Sequence, residues 1–292
     1  MKIVITGATG FLGSNLVKHF NEKQYEIYAI VRENSNTRQL DKNNIEYCVY
    51  NGNVTELIEF FNKRKPDVVI HTAAFFVSEH MYSQVDNLID SNIRFSTHIL
   101  EAMSRTGVTN FINTSTVWEH YNNEEYNPSC LYAATKKVVE DIIKYYVEAE
   151  GLKAITLVLY DTYGKNDRRG KIISKFAEII HTQEEIAMSK GEQEIGLLHI
   201  DDVVQAYSIA VNMFQNMKEK YEKYYLLPNE IHSLKEIAHI FEEVSGKKLL
   251  IRWGERPYRK REVMKVYRQG VCLPGWNPSI DLYNGIKDLM EE

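Results

Sequence analysis

The sequence contains few cysteines and no long apolar run. Its three cysteines, Cys48, Cys130 and Cys272, lie far apart with no paired spacing. Neither a disulfide framework nor a zinc site is therefore expected, and a reducing, cytoplasmic setting is the simplest interpretation. No apolar run approaches the roughly 18 residues that a membrane span requires. The apolar run that starts at Ile3 is too short for a signal peptide, so we expect a soluble protein.

An excess of positive charge is also absent. The 292 residues include 35 Lys and Arg against 40 Asp and Glu, which gives a net charge of −5. Nucleic-acid-binding domains usually carry a strong basic excess. We therefore expect neither a nucleic acid nor a membrane as partner. The hydrophobic fraction of 44% is ordinary for a globular protein.

The first 165 residues alternate between short apolar runs and longer amphipathic stretches. The apolar runs predict strands at 2–6, 26–31, 45–49, 67–71, 110–114 and 154–160. Helical patterns lie between them at 12–22, 55–64, 84–105 and 130–150. This alternation is typical of βαβ units and predicts an α/β protein with a doubly wound, Rossmann-type parallel sheet.

After residue 165 the pattern is less regular. Helices are predicted at about 171–183, 201–217, 233–245 and 281–291, with a strand at 248–252. No low-complexity linker separates this part from the rest. We therefore expect a cofactor-binding domain at 1–165 and a smaller C-terminal α/β substrate lobe at 166–292, with some interweaving of the chain.

A glycine-rich turn follows the first strand and opens the first helix. Its residues are Gly7, Thr9, Gly10, Phe11, Leu12 and Gly13. Glycines permit a tight turn and the close approach of a pyrophosphate, which the free N–H groups at the helix start then bind. A plain strand–helix turn does not need three glycines at this spacing. The GxxGxxG spacing resembles that of the extended short-chain dehydrogenase/reductase family of nucleotide-sugar epimerases, dehydratases and reductases.

The end of the second strand indicates which nicotinamide cofactor is used. Sites that prefer NAD place an acidic residue there, on the ribose 2′-hydroxyl. Here the strand ends in Arg32, with Arg38 a few residues on, and a guanidinium suits a 2′-phosphate. NADP(H) is therefore favoured. NAD(H) stays possible, because Glu33 is adjacent and Arg32 could be merely solvated.

The family resemblance implies further cofactor contacts. Asn53 and Val54 resemble the position that meets the adenine. Ala73 and Ala74 resemble the segment that lies along the cofactor ribose and phosphates, where small side chains leave room.

Tyr132 and Lys136 lie four residues apart at the start of a predicted helix, and so on one face. A phenol with a pKa near 10 is a poor acid or base at neutral pH. We expect the Lys136 ammonium to lower the pKa of Tyr132, so that the phenol can exchange a proton with a sugar oxygen. The pair matches the YxxxK signature of the same family, which also implies contacts of both residues with the cofactor.

A hydroxyl at the end of the fifth strand completes the predicted catalytic set. In the family, a Ser or Thr stands four positions before the aromatic residue of a VYG-like motif. Trp118 takes the aromatic place here, so Thr114 is the best match and Ser115 is the alternative. Whichever of the two hydroxyls is not catalytic would form a hydrogen bond with its own backbone.

The residues after Thr114 narrow the reaction. Sugar dehydratases of the family carry an acidic pair directly after this Thr, where Ser115 and Thr116 stand here, so dehydration is not expected. Glu119 and His120 are left open as acid/base groups. Reduction of a keto-sugar and 4-epimerisation both remain, and Arg32 favours an NADPH-dependent reductase.

A narrower resemblance covers residues 113–141. This run is similar to the CDP-abequose and CDP-paratose synthases, which reduce the 4-keto group of a CDP-linked dideoxyhexulose with NADPH. The sequence departs from that subgroup at Val158, Lys165 and Lys190. A non-catalytic dinucleotide sensor is a further alternative, although a sensor does not need a Tyr–Lys pair.

The resemblance implies that the C-terminal lobe binds a nucleotide-diphosphate sugar. The predicted substrate-binding residues are Phe76, Arg168, Arg169, Lys171, Tyr258, Arg259 and Arg261. Their guanidinium and ammonium groups suit a pyrophosphate, although a solvated basic face is the alternative. Asp202 is expected to cap the helix that follows it. The helices at 84–105 and 130–150 resemble those through which the family dimerises, so a homodimer is expected.

Overall fold

The computed structural model describes residues 1–291. The strands are β1 Lys2–Thr6, β2 Glu26–Arg32, β3 Glu46–Tyr50, β4 Val68–His71, β5 Asn110–Thr116, β6 Lys153–Leu159, β7 Asp161–Tyr163, β8 Ile186–Met188, β9 Glu194–His199, β10 Tyr221–Tyr225, β11 Ile231–Ser233 and β12 Ile251–Trp253. The helices are α1 Phe11–Glu22, α2 Arg38–Lys42, α3 Val54–Arg64, α4 Val85–Ile89, α5 Phe95–Thr106, α6 Leu131–Glu150, α7 Ile172–Thr182, α8 Ile200–Met213, α9 Leu234–Ser245 and α10 Leu282–Met290. A π-helical turn, Asp90–Arg94, joins α4 to α5.

Seven parallel strands form the central sheet, in the order β3-β2-β1-β4-β5-β6-β10. The strand order reverses between β1 and β4, which is where doubly wound sheets bind their ligands. The predicted Rossmann-type fold is confirmed. Each predicted strand of the first 165 residues is present to within a residue or two at its ends.

The sheet is buried on both faces, which explains its near-continuous apolar strands. In β1, Ile3 and Ile5 face the side covered by α1 and α8, whereas Val4 faces α3, α5 and α6. All three side chains are 0% exposed. Because α1 and α6 pack on these faces, their first turns lie at the carboxyl edge of the sheet.

Two elements that follow residue 165 in the chain pack on the large sheet. Helix α8 lies against α1, and β10 pairs with β6 as the edge strand. Strand β10 was not predicted from the sequence, and the predicted helix extended to residue 217, beyond the end of α8 at Met213. The division into a domain at 1–165 and a lobe at 166–292 stays a prediction. The last residue of the predicted lobe, Glu292, lies outside the described residues.

A smaller group of elements packs beside the carboxyl edge of the sheet. It holds a three-stranded sheet, β11-β9-β7, and a two-stranded one, β12-β8. Helices α7, α9 and α10 cover a separate apolar core that includes Phe176 and Phe241. Within residues 1–291, no helix is both long and apolar enough to span a membrane.

The expected helix cap at Asp202 is wrong, because the N-cap of α8 is His199. Asp202 lies inside the first turn, and its buried carboxylate accepts hydrogen bonds from the Ser279 hydroxyl and the Ser279 and Ile280 backbone N–H groups, at 2.9–3.1 Å. The indole of Trp276 donates to the Asp202 carbonyl at 2.8 Å. Asp202 therefore fastens the C-terminal segment to α8.

Candidate active site

The glycine turn is built so tightly that side chains are excluded. Gly7 has φ = +68°, and a Cβ there would lie 2.8 Å from the Ala73 nitrogen. A Cβ on Gly13 would lie 2.1 Å from the Gly7 carbonyl oxygen. Gly10, the N-cap of α1, provides no side-chain cap, so the N–H groups of the first turn are open to an anionic ligand.

A cavity of about 700 Å³ opens over this turn at the carboxyl ends of β1, β2 and β4. It lies at the reversal of strand order, where a dinucleotide is expected. Its lining includes Gly7, Thr9, Gly10, Arg32, Glu33, Tyr50, Asn51, Gly52, Ala73 and Ala74. The size, the open N–H groups and the small side chains of this cavity fit a nicotinamide dinucleotide. Of the other turn residues, Leu12 packs on the core under the sheet and Phe11 contacts the lobe.

Arg32 and Glu33 both lie at the rim of this cofactor cavity. Both are exposed, and the Arg32 guanidinium forms no hydrogen bond or ion pair with any residue from 1 to 291. Arg38, the first residue of α2, does not line the cavity.

The predicted adenine contacts lie just beyond the cavity lining. The Asn53 side chain caps α3 by accepting from the Thr55 N–H at 3.0 Å, and Val54 is the first residue of that helix. Asn51 and Gly52 line the cavity instead. The preference of Asn for helix N-caps was a signal for this arrangement.

His71 supports the cavity floor from below. It is 0% exposed, and its imidazole bonds the Thr6 hydroxyl at 2.9 Å and the Ser96 hydroxyl at 2.8 Å. Thr6 in turn accepts a hydrogen bond from the Ala73 N–H at 3.2 Å. Burial, with a smaller contribution from the Lys136 charge, lowers the pKa of His71 to about 3. The ring is therefore neutral at physiological pH.

Tyr132 and Lys136 lie on the first two turns of α6. Lys136 is only 2% exposed, and burial lowers the pKa of its ammonium to about 8. Burial also raises the pKa of the Tyr132 phenol, and the nearby charges of Glu119 and Asp161 raise it further. The Lys136 ammonium was expected to lower the pKa of Tyr132, but burial of the phenol dominates. The phenol is therefore protonated at neutral pH.

The two adjacent hydroxyls of β5 point to opposite faces of the sheet. The Thr114 hydroxyl lies 2.6 Å from the phenol oxygen of Tyr207 on α8. The Ser115 hydroxyl donates to the Glu119 carboxylate at 2.5 Å. Strand alternation causes this divergence, which a sequence of consecutive hydroxyl residues does not resolve.

Glu119 and His120, the two alternative acid/base groups that follow Trp118, are both buried. Lys223 lies 3.4 Å from Glu119 and 2.9 Å from Glu140. Burial and the Glu140 charge raise the pKa of Glu119 to about 7. The His120 ring stacks on Tyr267 with centroids 3.8 Å apart, and both its nitrogens are bonded within the protein, to the Tyr225 hydroxyl and to a backbone carbonyl.

A second cavity, of about 360 Å³, lies between the sheet edge and the lobe. Of the predicted substrate-binding residues, it brings together Phe76, Lys171 and Arg259. The Phe76 ring stands edge-on to Tyr132, with centroids 4.9 Å apart, and to Trp118, with centroids 5.3 Å apart. Phe76 is two residues from Ala74, so this short segment borders both cavities.

The basic side chains of this substrate cavity are balanced by carboxylates. Lys171 pairs with Asp161 at 2.5 Å, and Arg259 pairs with Glu262 at 2.5 Å. The Arg259 guanidinium lies over the Trp118 ring, 5.0 Å from its centroid. Asp161 was not among the predicted site residues. Its place two residues after the end of β6, at the carboxyl edge of a parallel sheet, was the available signal.

The other four predicted substrate residues lie outside this lining. Arg169 bonds Asp167 and the Thr162 carbonyl. Arg168 is exposed and has no bonding partner within residues 1–291. Tyr258 accepts from the Glu192 N–H at 3.1 Å. Arg261 bonds Asn127 and lies over Tyr121, beside a neighbouring cavity of about 610 Å³ that Arg259 also lines.

The sheet, the glycine turn and the cavity above it define a dinucleotide-binding protein of the Rossmann class. The chain belongs to the NAD dependent epimerase/dehydratase family, whose profile matches residues 3–224. It is an enzyme of that family.

Named relatives agree with this assignment. The chain is 30% identical to the CDP-abequose synthase of Yersinia pseudotuberculosis over 268 residues, 90% of this chain and 91% of that protein. It is 23% identical to the solved UDP-glucose 4-epimerase of Thermotoga maritima with UDP-glucose, with a TM-score of 0.85 over 100% of this chain and 98% of that one. The Thermus thermophilus UDP-glucose 4-epimerase in complex with NAD gives a TM-score of 0.83 at 20% identity, over 100% and 98% of the two chains.

Proposed function

We propose that this enzyme uses NADPH to reduce the 4-keto group of a CDP-linked deoxyhexulose. The observation that carries the proposal is that the Arg32 guanidinium lies at the rim of the cofactor cavity and pairs with no residue from 1 to 291. A 2′-phosphate is the ligand group that such a guanidinium suits. The similarity to a CDP-abequose synthase supports the CDP-sugar class.

In this proposal the cofactor cavity holds NADPH, which supplies a hydride when bound. The N–H groups at the start of α1 bind its diphosphate, and Gly7 and Gly10 let that group approach the backbone. Arg32 binds the 2′-phosphate. Ala73 and Ala74 have small side chains, so they leave room along the floor of the cavity.

Tyr132 supplies the proton for the keto oxygen. Its raised pKa keeps the phenol protonated until negative charge develops on the substrate. The buried Lys136 ammonium then stabilises the phenolate that forms. Thr114 donates a hydrogen bond to the same oxygen, and the rings of Phe76 and Trp118 shield the reacting centre from water.

The substrate cavity accommodates the sugar and its diphosphate. Lys171 and Arg259 each provide a cationic group to its lining. Their pairing with Asp161 and Glu262 restricts both side chains, so that little side-chain entropy is lost on binding. We assign the diphosphate to these two residues, and Arg168 and Arg261 to a more distant position around the nucleotide.

A thermal-shift panel tests the cofactor and the nucleotide together, because a ligand that binds only the native state raises the melting temperature. NADPH and CDP should each raise it more than NADH and UDP at equal concentration. A larger shift with NADH and UDP would instead support the second candidate.

An NAD-dependent 4-epimerase is that second candidate. Glu33 lies at the same rim as Arg32 and could bind a ribose 2′-hydroxyl, and the named solved neighbours are UDP-glucose 4-epimerases. An epimerase would interconvert UDP-hexoses without consuming added cofactor. A reductase would oxidise NADPH in proportion to its product.

We also propose a homodimer formed through α4, α5 and α6. The outer faces of α4 and α6 expose Ile89, Val138 and Tyr145, at 39%, 41% and 59%. Sedimentation of the wild-type protein and of Val138→Glu tests this proposal. A monomeric wild type, or a dimer that the glutamate does not weaken, would contradict it.

A further inference from the structure

Tyr207 lies directly beneath the proposed catalytic hydroxyl. It is a fully buried residue of α8, and its phenol oxygen lies 2.6 Å from the Thr114 hydroxyl oxygen. The two residues are 93 positions apart in the chain. Burial raises the pKa of Tyr207, so its phenol keeps its proton across the physiological range.

The direction of this hydrogen bond follows from counting protons. A phenol carries one proton, and a threonine hydroxyl carries one proton and two lone pairs. Within residues 1–291, Thr114 is the partner of the Tyr207 hydroxyl. If Thr114 donated the bond, the phenol proton would be buried without an acceptor, which is costly. Tyr207 is therefore the donor.

This direction leaves the Thr114 proton free for another acceptor. Ser115 is in the opposite condition, because its proton is given to Glu119 at 2.5 Å. Of the two adjacent hydroxyls, Thr114 alone retains a proton to offer to a substrate oxygen.

We propose that Tyr207 is a positioning residue, which orients the Thr114 hydroxyl so that its proton points to the substrate keto oxygen. The proposal rests on the proposed reduction and deepens its account of the site. Tyr207 also connects the reacting centre to the lobe, since the same helix holds Asp202 and the C-terminal segment.

The test is a double-mutant cycle with Tyr207→Phe and Thr114→Val, read out as kcat and KM for NADPH-dependent reduction. Tyr207→Phe keeps the ring and removes only the donor. We expect it to lower kcat about tenfold, which corresponds to the loss of one neutral hydrogen bond at the transition state. KM should stay within twofold of its wild-type value. On the Thr114→Val background it should lower kcat no further.

Two comparisons separate positioning from general support of the fold. Thr114→Ser keeps the hydroxyl, so Tyr207→Phe should again lower kcat about tenfold on that background. Tyr163→Phe is the matched control, because Tyr163 is another buried tyrosine, in the lobe core, whose hydroxyl has no partner among the described residues. It should leave kcat unchanged.

Unfolding provides a readout that is independent of turnover. The losses of unfolding free energy caused by Tyr207→Phe and Thr114→Val should be non-additive, because both remove one bond. Additive losses, or equal losses of kcat on the threonine and valine backgrounds, would overturn the role of Tyr207. Absence of turnover by the wild-type enzyme would overturn the proposed function itself. The wild-type assay gives this result before any variant is made, so the two failures are distinguishable.

Discussion

The guanidinium of Arg169 lies over the ring of Phe11, 4.3 Å from its centroid. Phe11 is the first residue of α1 and belongs to the glycine turn, whereas Arg169 lies in the loop after β7. The same guanidinium donates to Asp167 at 2.7 Å and to the Thr162 carbonyl at 2.8 Å. This contact joins the cofactor turn to the wall of the substrate cavity.

Arg169→Ala should therefore destabilise the protein more than it weakens substrate binding. Loss of charge-assisted hydrogen bonds and of a cation–π contact should cost roughly 1–3 kcal/mol in unfolding free energy. Chemical denaturation of the wild type and the variant measures this loss of unfolding free energy. The control is Arg168→Ala, since the neighbouring side chain is exposed and has no partner among residues 1–291. Equal stability of the two variants would show that the contact contributes nothing.

Arg32→Ala should change the cofactor preference. Loss of a hydrogen-bonded charge pair with the 2′-phosphate corresponds to about 1.5–3 kcal/mol, so the Kd for NADPH should rise about 10- to 100-fold while that for NADH stays nearly constant. Titration calorimetry with both cofactors measures this. Arg105→Ala, on the exposed side of α5, serves as the charge-matched control. A parallel rise in both Kd values would contradict a 2′-phosphate contact.

His71 predicts an acid-sensitive fold. Its pKa is about 3 in the folded state against 6.5 as the ordinary value, so the unfolded chain binds the additional proton between these limits. The contribution of His71 to stability is therefore fully present above about pH 6.5. As the pH is lowered, the free energy of unfolding decreases by up to about 1.4 kcal/mol per pH unit, until about pH 3.

The measurement is the unfolding free energy of wild type and His71→Asn between pH 7 and pH 4. The variant is less stable at neutral pH, but its stability should fall less steeply with acid. His80→Asn, at an exposed position, should keep the wild-type slope. Identical slopes for wild type and His71→Asn would refute the assignment.

The cofactor half of the molecule was predictable from sequence, because its strands are buried on both faces and read as apolar runs. β10, with the sequence YEKYY, was not, since it is an edge strand whose Lys223 reaches inward to Glu119 and Glu140. Tyr207 carries no sequence signal either. It is one apolar-face residue of a helix, and only the packing of α8 against β5 brings it to Thr114.

The basic loop residues illustrate a second limit of sequence reasoning. Arg169 and Lys171 are two positions apart, yet one turns toward Phe11 and the other lines the substrate cavity. Long side chains take the partner that the fold provides, and spacing alone does not identify it.

The most direct measurement of the proposed function is NADPH oxidation with a CDP-linked 4-keto deoxyhexulose, for wild type and Tyr132→Phe. The wild-type enzyme should oxidise one NADPH for each 4-hydroxyl formed. The variant should lose about 10²- to 10⁴-fold in kcat, since it lacks the general acid, while its Kd for NADPH stays within a few-fold of wild type. No NADPH oxidation by the wild-type enzyme, or a variant that turns over nearly as fast, would contradict the account.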